Sequence, residues 1–361
     1  MNPDPHRLER ARARMADVGV DALLLSVGPD LPYLIGYEAM PLERLTMLVV
    51  RPTGDPVLLV PRLEAPRVES RPALFAIETW DETDDPVARV AALAAGARRV
   101  AIGDQTWARF VLALQQAIPA EFSPAREVMA PLRIVKDATE IDALRQAAHA
   151  VDAIAVEMRD RPFAGRREID VHRELVERML EAGHDRANFA IVATAGNAAS
   201  PHHEPSTRVI ADGDVVLCDF GGTMAGYCSD ITRMFVVGEP EPEVRDAYAV
   251  LVDAQEAGVQ AATVGTSCAD VDAAARAVIA DAGLGDFFVH RTGHGIGTEA
   301  HEDPYIVHGN ADALVPGHAF SIEPGIYLPG RFGLRLEDIV VATAGGPERL
   351  NRAPRDLAVV G

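Results

Sequence analysis

The chain has 361 residues, 48% hydrophobic and 24% charged, a composition ordinary for a globular protein and a length that favours two domains. Lys and Arg number 34 against 54 Asp and Glu, and the formal charge of −20 repels nucleic-acid phosphates and anionic membranes. No apolar run approaches the roughly 20 residues of a transmembrane helix. Residues 1–5 lack the basic, apolar start of a secretion signal, and Cys218, Cys228 and Cys268 form no C-x-x-C pair. These features predict a cytoplasmic protein with reduced, buried thiols and neither nucleic-acid nor membrane partners.

In chain order, residues 7–18 suit an amphipathic helix and 22–26 a short apolar strand. Strand-like runs at 45–50, 57–60 and 99–102 alternate with helical stretches at 86–95 and 107–117. The alternation predicts an α/β domain over residues 1–130. No chemical constellation occurs in it. The boundary falls within 130–136, where Lys136, the single lysine beside 33 arginines, reads as part of a linker.

The second domain, residues 131–361, opens with Asp137 as an N-cap and Glu140 completing a variant capping box. Ile141, Leu144, Ala148, Val151, Ala155 and Met158 then mark one apolar helical face. A helix near 168–181, with Ile169, Leu175 and Met179, stops at Gly183, and strands near 214–220 and 228–237 follow. The same order recurs. Helices near 243–262 and 269–282, the second opened by Ser267 and Asp270, precede strands near 318–323 and 335–341. The repetition predicts two similar halves facing each other across a pseudo-twofold axis, within a chain of α+β class.

Each half delivers two carboxylates from its strands. The apolar run 215–218 ends in Asp219, and Ser229-Asp230-Ile231-Thr232-Arg233 returns after a Gly-rich turn. In the second half, Phe320-Ser321-Ile322 leads to Glu323, and Arg335-Leu336-Glu337-Asp338 enters the apolar run 339–341. A carboxylate inside an apolar strand costs several kcal/mol unless it is paired or bound to a metal. Arg233 and Arg335 are too few to neutralise four such groups, whereas two divalent ions balance them. Thr292-Gly293-His294-Gly295-Ile296-Gly297 presents an imidazole between glycines and lacks the phosphate-loop pattern. His301-Glu302-Asp303-Pro304-Tyr305 fails the zincin pattern, because position 305 is Tyr.

Taken together, Asp219-Phe220-Gly221, Ser229 to Arg233, Gly293 to Gly297, His301-Glu302-x-Pro304, Glu323 to Tyr327 and Arg335 to Asp338 resemble the pita-bread metallopeptidases. That superfamily includes methionine aminopeptidase, aminopeptidase P and prolidase. Pro201-His202-His203 and the two-domain length point to its proline-specific branch, while the N-terminal domain resembles it mainly in Leu31 to Tyr37. The resemblance implies a C-terminal pita-bread catalytic domain behind a smaller α/β domain. It implies two divalent ions, manganese first, with cobalt or zinc as alternatives, held by Asp219, Asp230, His294, Glu323 and Glu337. Asp219 would chelate the first ion, Asp230 and Glu337 would bridge both, and His294 and Glu323 would complete the second. Glu323, His301 and His202 would be catalytic, and His202, His290, His301 and Arg335 would handle substrate, with the Thr232 hydroxyl supporting the ligands.

The implied activity is hydrolysis of the Xaa-Pro bond at the N-terminus of dipeptides or short peptides, by a homodimer. Met234, Thr298 and His318 depart from frequent family residues, and none is a ligand. Two other readings stay open. One is hydrolysis of a non-peptide amide on the same fold. The other is a binding module without catalysis, which usually breaks the ligand set that is complete here.

Overall fold

The computed structural model describes residues 4–361, and the chain separates into two compact units, Met1–Arg133 and Ile134–Gly361. The first unit is built on a six-stranded mixed sheet. Its order is Ala76–Trp80, Val57–Pro61, Met47–Val50, Ala22–Leu25, Arg99–Ile102 and Glu121–Pro124. The central strand Ala22–Leu25 is buried throughout. Leu23 and Leu25 join a core with Leu8, Ala11 and Met15 of the helix Pro5–Val18. Ala22 and Leu24 join another with Val90, Phe110 and Leu114 from the helices Pro86–Leu93 and Ala108–Ala117. Burial on both faces makes such strands read as unbroken apolar runs. The edge strands Ala76–Trp80 and Glu121–Pro124 were not expected, because their mixed, half-exposed residues leave no such run.

In the second unit, the helix Ala138–Met158 starts at the Asp137–Glu140 capping box read from the sequence. With the helix Glu168–Glu181 it packs against a sheet ordered Ala358–Val360, Ile231–Val237, Val215–Met224 and Arg186–Thr194. The helices Pro242–Ala261 and Cys268–Asp281 accompany a second sheet, ordered Glu302–Ile306, Gly293–Gly295, Ala319–Ile322, Asp338–Thr343 and Gly346–Arg349. A hairpin of Gly325–Leu328 and Phe332–Arg335 completes the set. Arg186–Thr194 escaped the sequence reading, since Ala187, Ala190 and Ala193 dilute its apolar signal. The two strands expected at 228–237 and 335–341 each break in two. The breaks fall at Ser229-Asp230 and Leu336-Glu337, and the second is bridged to the first sheet by Thr232 pairing with Glu337.

The repeat is visible in side chains as well as in element order. Buried Glu168 accepts from the backbone N and Oγ1 of Thr194 at 2.9 and 2.7 Å. Buried Asp272 accepts from the same two atoms of Thr292 at 3.1 and 2.8 Å. His203 lies 3.0 Å from Glu168, and Arg276 donates to Asp272 at 3.0 and 2.9 Å. In both halves a helix acid thus fixes the segment that leads into the site.

Lys136 is not linker-like. Its Nζ lies 2.6 Å from Glu302 Oε1, with the two side chains 1% and 6% exposed. Removing one partner of a buried ion pair leaves an uncompensated charge, which costs about 3–5 kcal/mol. Lys136→Met is expected to lose that much in urea unfolding, and Lys136→Met/Glu302→Leu to regain at least half. A single-variant loss below about 1 kcal/mol would show that the pair does not hold this segment.

Candidate metal centre

Asp219 lies in the middle of Val215–Met224, flanked by buried Cys218 and Phe220 and paired across the ladder with Thr232. Asp230 directly precedes Ile231–Val237, and Glu337 sits between the hairpin and the strand Asp338–Thr343. His294 is the middle residue of Gly293–Gly295, and Glu323 follows Ala319–Ile322. The glycine at 293 is required sterically, because a Cβ there would lie 1.8 Å from the Ser321 carbonyl oxygen. All five side chains line one cleft of about 770 Å³, together with His202, His290, Arg291, His301 and Arg335. One ligand atom each from Asp230, His294 and Glu337 falls within a 4.8 Å group. The chain therefore gathers every sequence-derived candidate around one cleft.

The acids are poorly compensated by protein alone. Asp219 Oδ1, Asp230 Oδ1 and Glu337 Oε1 are buried and have no hydrogen-bond partner. Burial, then repulsion from Glu337, Asp219 and Glu323, raises Asp230 well above the usual carboxylate range. Burial followed by repulsion from Glu323 and Asp219 does the same to Glu337. Asp219 is also raised by burial, although the Arg335 guanidinium opposes the shift. For Glu323, the cost of burial is outweighed by the His294 hydrogen bond and charge, which bring it to about 2. Arg233 cannot help, because it donates to Asp338 at 2.6 Å and to the Glu337 carbonyl. Orphaned carboxylate oxygens converging on an imidazole fit divalent cations, the hard partners that such a donor set selects.

Hydrogen bonds define how each ring is presented. His294 Nδ1 is 3.2 Å from the Gly295 carbonyl and donates to it, which turns Nε2 towards Glu323 Oε1 at 3.1 Å as the ring nitrogen that either donates to the acid or, without its proton, meets a cation. Ser321 Oγ accepts from the His294 backbone N and donates to Glu323 Oε1, both at 3.0 Å. No sequence signal marked that serine. Thr232 Oγ1 donates to Glu337 Oε2 at 2.8 Å. Arg335 donates to Asp219, to Thr232 Oγ1, to the Pro201 carbonyl and to Tyr327 Oη. Tyr327 in turn donates to His290 Nε2 at 2.9 Å, whose Nδ1 donates to the Arg291 carbonyl. Arg335 and His290 thus face the cleft with their polar atoms engaged by the protein.

His301 is different. Its ring lies 3.8 Å from that of His294, centroid to centroid, and is exposed to the cleft. Arg291 Nη2 approaches His301 Nδ1 at 3.5 Å, and a guanidinium only donates, so the ring proton belongs on Nε2. Surrounding protein and the neighbouring His294 push its pKa down to about 4, keeping the ring neutral. His202 is exposed on the same cleft.

Fold and site define a metallopeptidase of the pita-bread type, and comparison with known proteins agrees. Residues 142–344 match the Metallopeptidase family M24, and residues 7–135 match the Creatinase/Prolidase N-terminal domain. The chain belongs to metallopeptidase family M24. It is 44% identical over 359 residues to the probable dipeptidase PepE of Mycobacterium tuberculosis, covering 98% of this chain and 96% of that protein. It is 31% identical to the Xaa-Pro dipeptidase of Lactobacillus delbrueckii subsp. lactis, with 98% of each chain covered. Among solved structures, dipeptidase PepE from Mycobacterium ulcerans superposes with a TM-score of 0.91 at 43% identity, covering 98% of this chain and 97% of that one.

Proposed function

We propose that this enzyme hydrolyses the Xaa-Pro bond of dipeptides or short peptides, using two divalent ions held by Asp219, Asp230, His294, Glu323 and Glu337. The observation that carries the reading is the set of unpartnered, buried oxygens on Asp219, Asp230 and Glu337 around the site of His294 Nε2. Relatives named Xaa-Pro dipeptidase and prolidase supply the substrate class. Four carboxylates and one imidazole favour manganese or cobalt. When bound, such a pair supplies Lewis acidity, lowering the pKa of a water towards about 7 and polarising a carbonyl.

The chain's own groups do the rest. Glu323 Oε1 is engaged by Ser321 and His294, which leaves Oε2 to take a proton from the attacking water and pass it to the proline nitrogen. His301 Nε2–H donates to the carbonyl oxygen as negative charge develops, and His202 donates to a flanking peptide group. Proline offers no N–H after acylation, so recognition rests on its ring. Phe189, Ile191 and Val289 give the cleft an apolar wall suited to it. Arg335 is better read as the clamp on Asp219 than as a direct substrate contact.

Removing metal is expected to abolish Xaa-Pro hydrolysis, and Mn²⁺ or Co²⁺ to restore it. Full activity in a preparation shown to be metal-free would sink the dinuclear reading. Hydrolysis of non-peptide amides with no Xaa-Pro cleavage would instead move the substrate class. Among the described residues no helix is long and apolar enough to cross a membrane. We place the enzyme in the cytoplasm, a reading supported by three free, buried thiols. A homodimer follows from the family resemblance, and light scattering checks it.

A further inference from the structure

We propose that His184 is a positioning residue for the metal centre: through Ser229 it fixes the backbone from which Asp230 reaches the ions. This rests on the dinuclear reading above. Asp230 needs such support. It stands at a strand break, its Oδ1 has no hydrogen-bond partner, and its Oδ2 lies 3.8 Å from His294 Nε2. Three neighbouring acids, Glu337, Asp219 and Glu323, repel it. Glu337, at the corresponding break of the other half, is held directly, by the Thr232 hydroxyl at 2.8 Å and by its backbone bridge to Thr232.

The hold on Asp230 comes from the residue before it. Ser229 is buried, and its Oγ lies 2.9 Å from Nε2 of the buried His184. His184 Nδ1 is 3.0 Å from the Met179 carbonyl, which only accepts, so that nitrogen carries a proton. Burial lowers the pKa of the ring and keeps it neutral, which leaves Nε2 to accept from the Ser229 hydroxyl. Oγ in turn accepts from the Gly222 backbone N at 3.1 Å, and Ser229 N donates to the Gly222 carbonyl at 2.8 Å. Two glycines make room for this grip. A Cβ at Gly222 would lie 2.8 Å from His184 Cδ2, and one at Gly221 would lie 2.1 Å from the Ser229 carbonyl oxygen.

The internal repeat shows that the fold itself does not demand the pair. The helix Glu168–Glu181 ends in a turn with Gly183 at φ 96° and His184 N donating to the Met179 carbonyl at 3.0 Å. The helix Cys268–Asp281 ends in the same way, with Gly283 at φ 76° and Leu284 N donating to the Ile279 carbonyl at 3.0 Å. Where the first half has His184 and Ser229, the second has Leu284 and Leu336, which share one apolar cluster. A leucine therefore suffices to close this turn. An imidazole buried there needs hydrogen bonds to offset its desolvation, and its second bond goes to Ser229.

Calorimetry of Mn²⁺ on metal-free wild type, His184→Leu, Ser229→Ala, the double variant and His184→Gln tests the anchor. His184→Leu copies the residue of the other half, so its turn is expected to close. Each of His184→Leu and Ser229→Ala should weaken Mn²⁺ binding on the order of 10–100-fold. The double variant should lose no more than either, because both changes remove one anchor. His184→Gln, whose amide oxygen can accept the same proton, should recover part of the affinity. The Co²⁺-loaded His184→Leu protein should show an altered visible spectrum, a signature of ligand geometry that a merely structural role would not move. In the metal-free proteins, hydrogen exchange at residues 228–232 should quicken in His184→Leu, with the helix Glu168–Glu181 little changed. Wild-type Mn²⁺ affinity and Co²⁺ spectrum in His184→Leu, or additive losses in the double variant, overturn the proposal. A wild type that takes up fewer than two ions defeats the dinuclear reading. Exchange at residues 228–232 then decides on the anchor, and an unchanged rate in His184→Leu overturns it.

Discussion

Turnover of His301→Ala is expected to fall by on the order of 10²–10³, the scale of one lost oxyanion donor, while metal content stays near two ions per chain. Its KM should change less, because the interaction strengthens as charge develops on the carbonyl oxygen. His294→Ala should behave differently. The Gly295 carbonyl holds its Nδ1 proton, so Nε2 is the nitrogen aimed at the acids and available to a cation, and deleting the ring should lower metal occupancy directly. The two rings lie 3.8 Å apart, yet they are predicted to fail in different ways. Metal analysis and steady-state kinetics at saturating Mn²⁺ distinguish them. Equal metal loss in both variants would contradict the division of roles, and normal turnover in His301→Ala would reduce that residue to loop packing.

Asp230→Ala should be at least as damaging. Asp230 is the most crowded of the acids, lying among Glu337, Asp219 and Glu323 with one oxygen unpartnered. Removing it takes a ligand from the centre of the cluster, and loss of one or both ions with at least ~10²-fold lower turnover is expected. Relief of repulsion works in the opposite direction on the metal-free protein. Freed of that neighbour, the apo variant should unfold no more easily than wild type, and melting both proteins with chelator separates this effect from that of the metal. Two ions per chain and a normal rate in Asp230→Ala would show that this carboxylate is not a shared ligand.

The carboxylates were legible in the sequence because each sits in an apolar run, where an unpaired charge is conspicuous. What could not be read was how the remaining polar atoms are divided. Arg233 and Arg335 look interchangeable in the sequence, yet one secures Asp338 and the other Asp219. Ser321, in the middle of an apolar strand, gave no sign that it joins His294 to Glu323. Lys136 was misread because short polar-apolar mixtures at a boundary look alike whether exposed or buried, and its partner lies 166 residues away. The edge strands and Arg186–Thr194 failed for the related reason that half-exposed or alanine-rich strands carry little periodic signal.

The Lys136–Glu302 pair makes the folded protein nearly blind to lysine chemistry. The sequence offers one side-chain amine, and the fold leaves it 1% exposed beneath the segment that carries His301. Acylation of that nitrogen requires the segment to open, so its rate equals the opening equilibrium multiplied by the intrinsic reactivity of a free lysine. Reagents that elsewhere average over many lysines would here time one local event. A peptide product that slows labelling at Lys136 would reveal, without any assay of turnover, that occupying the cleft closes the wall around His301.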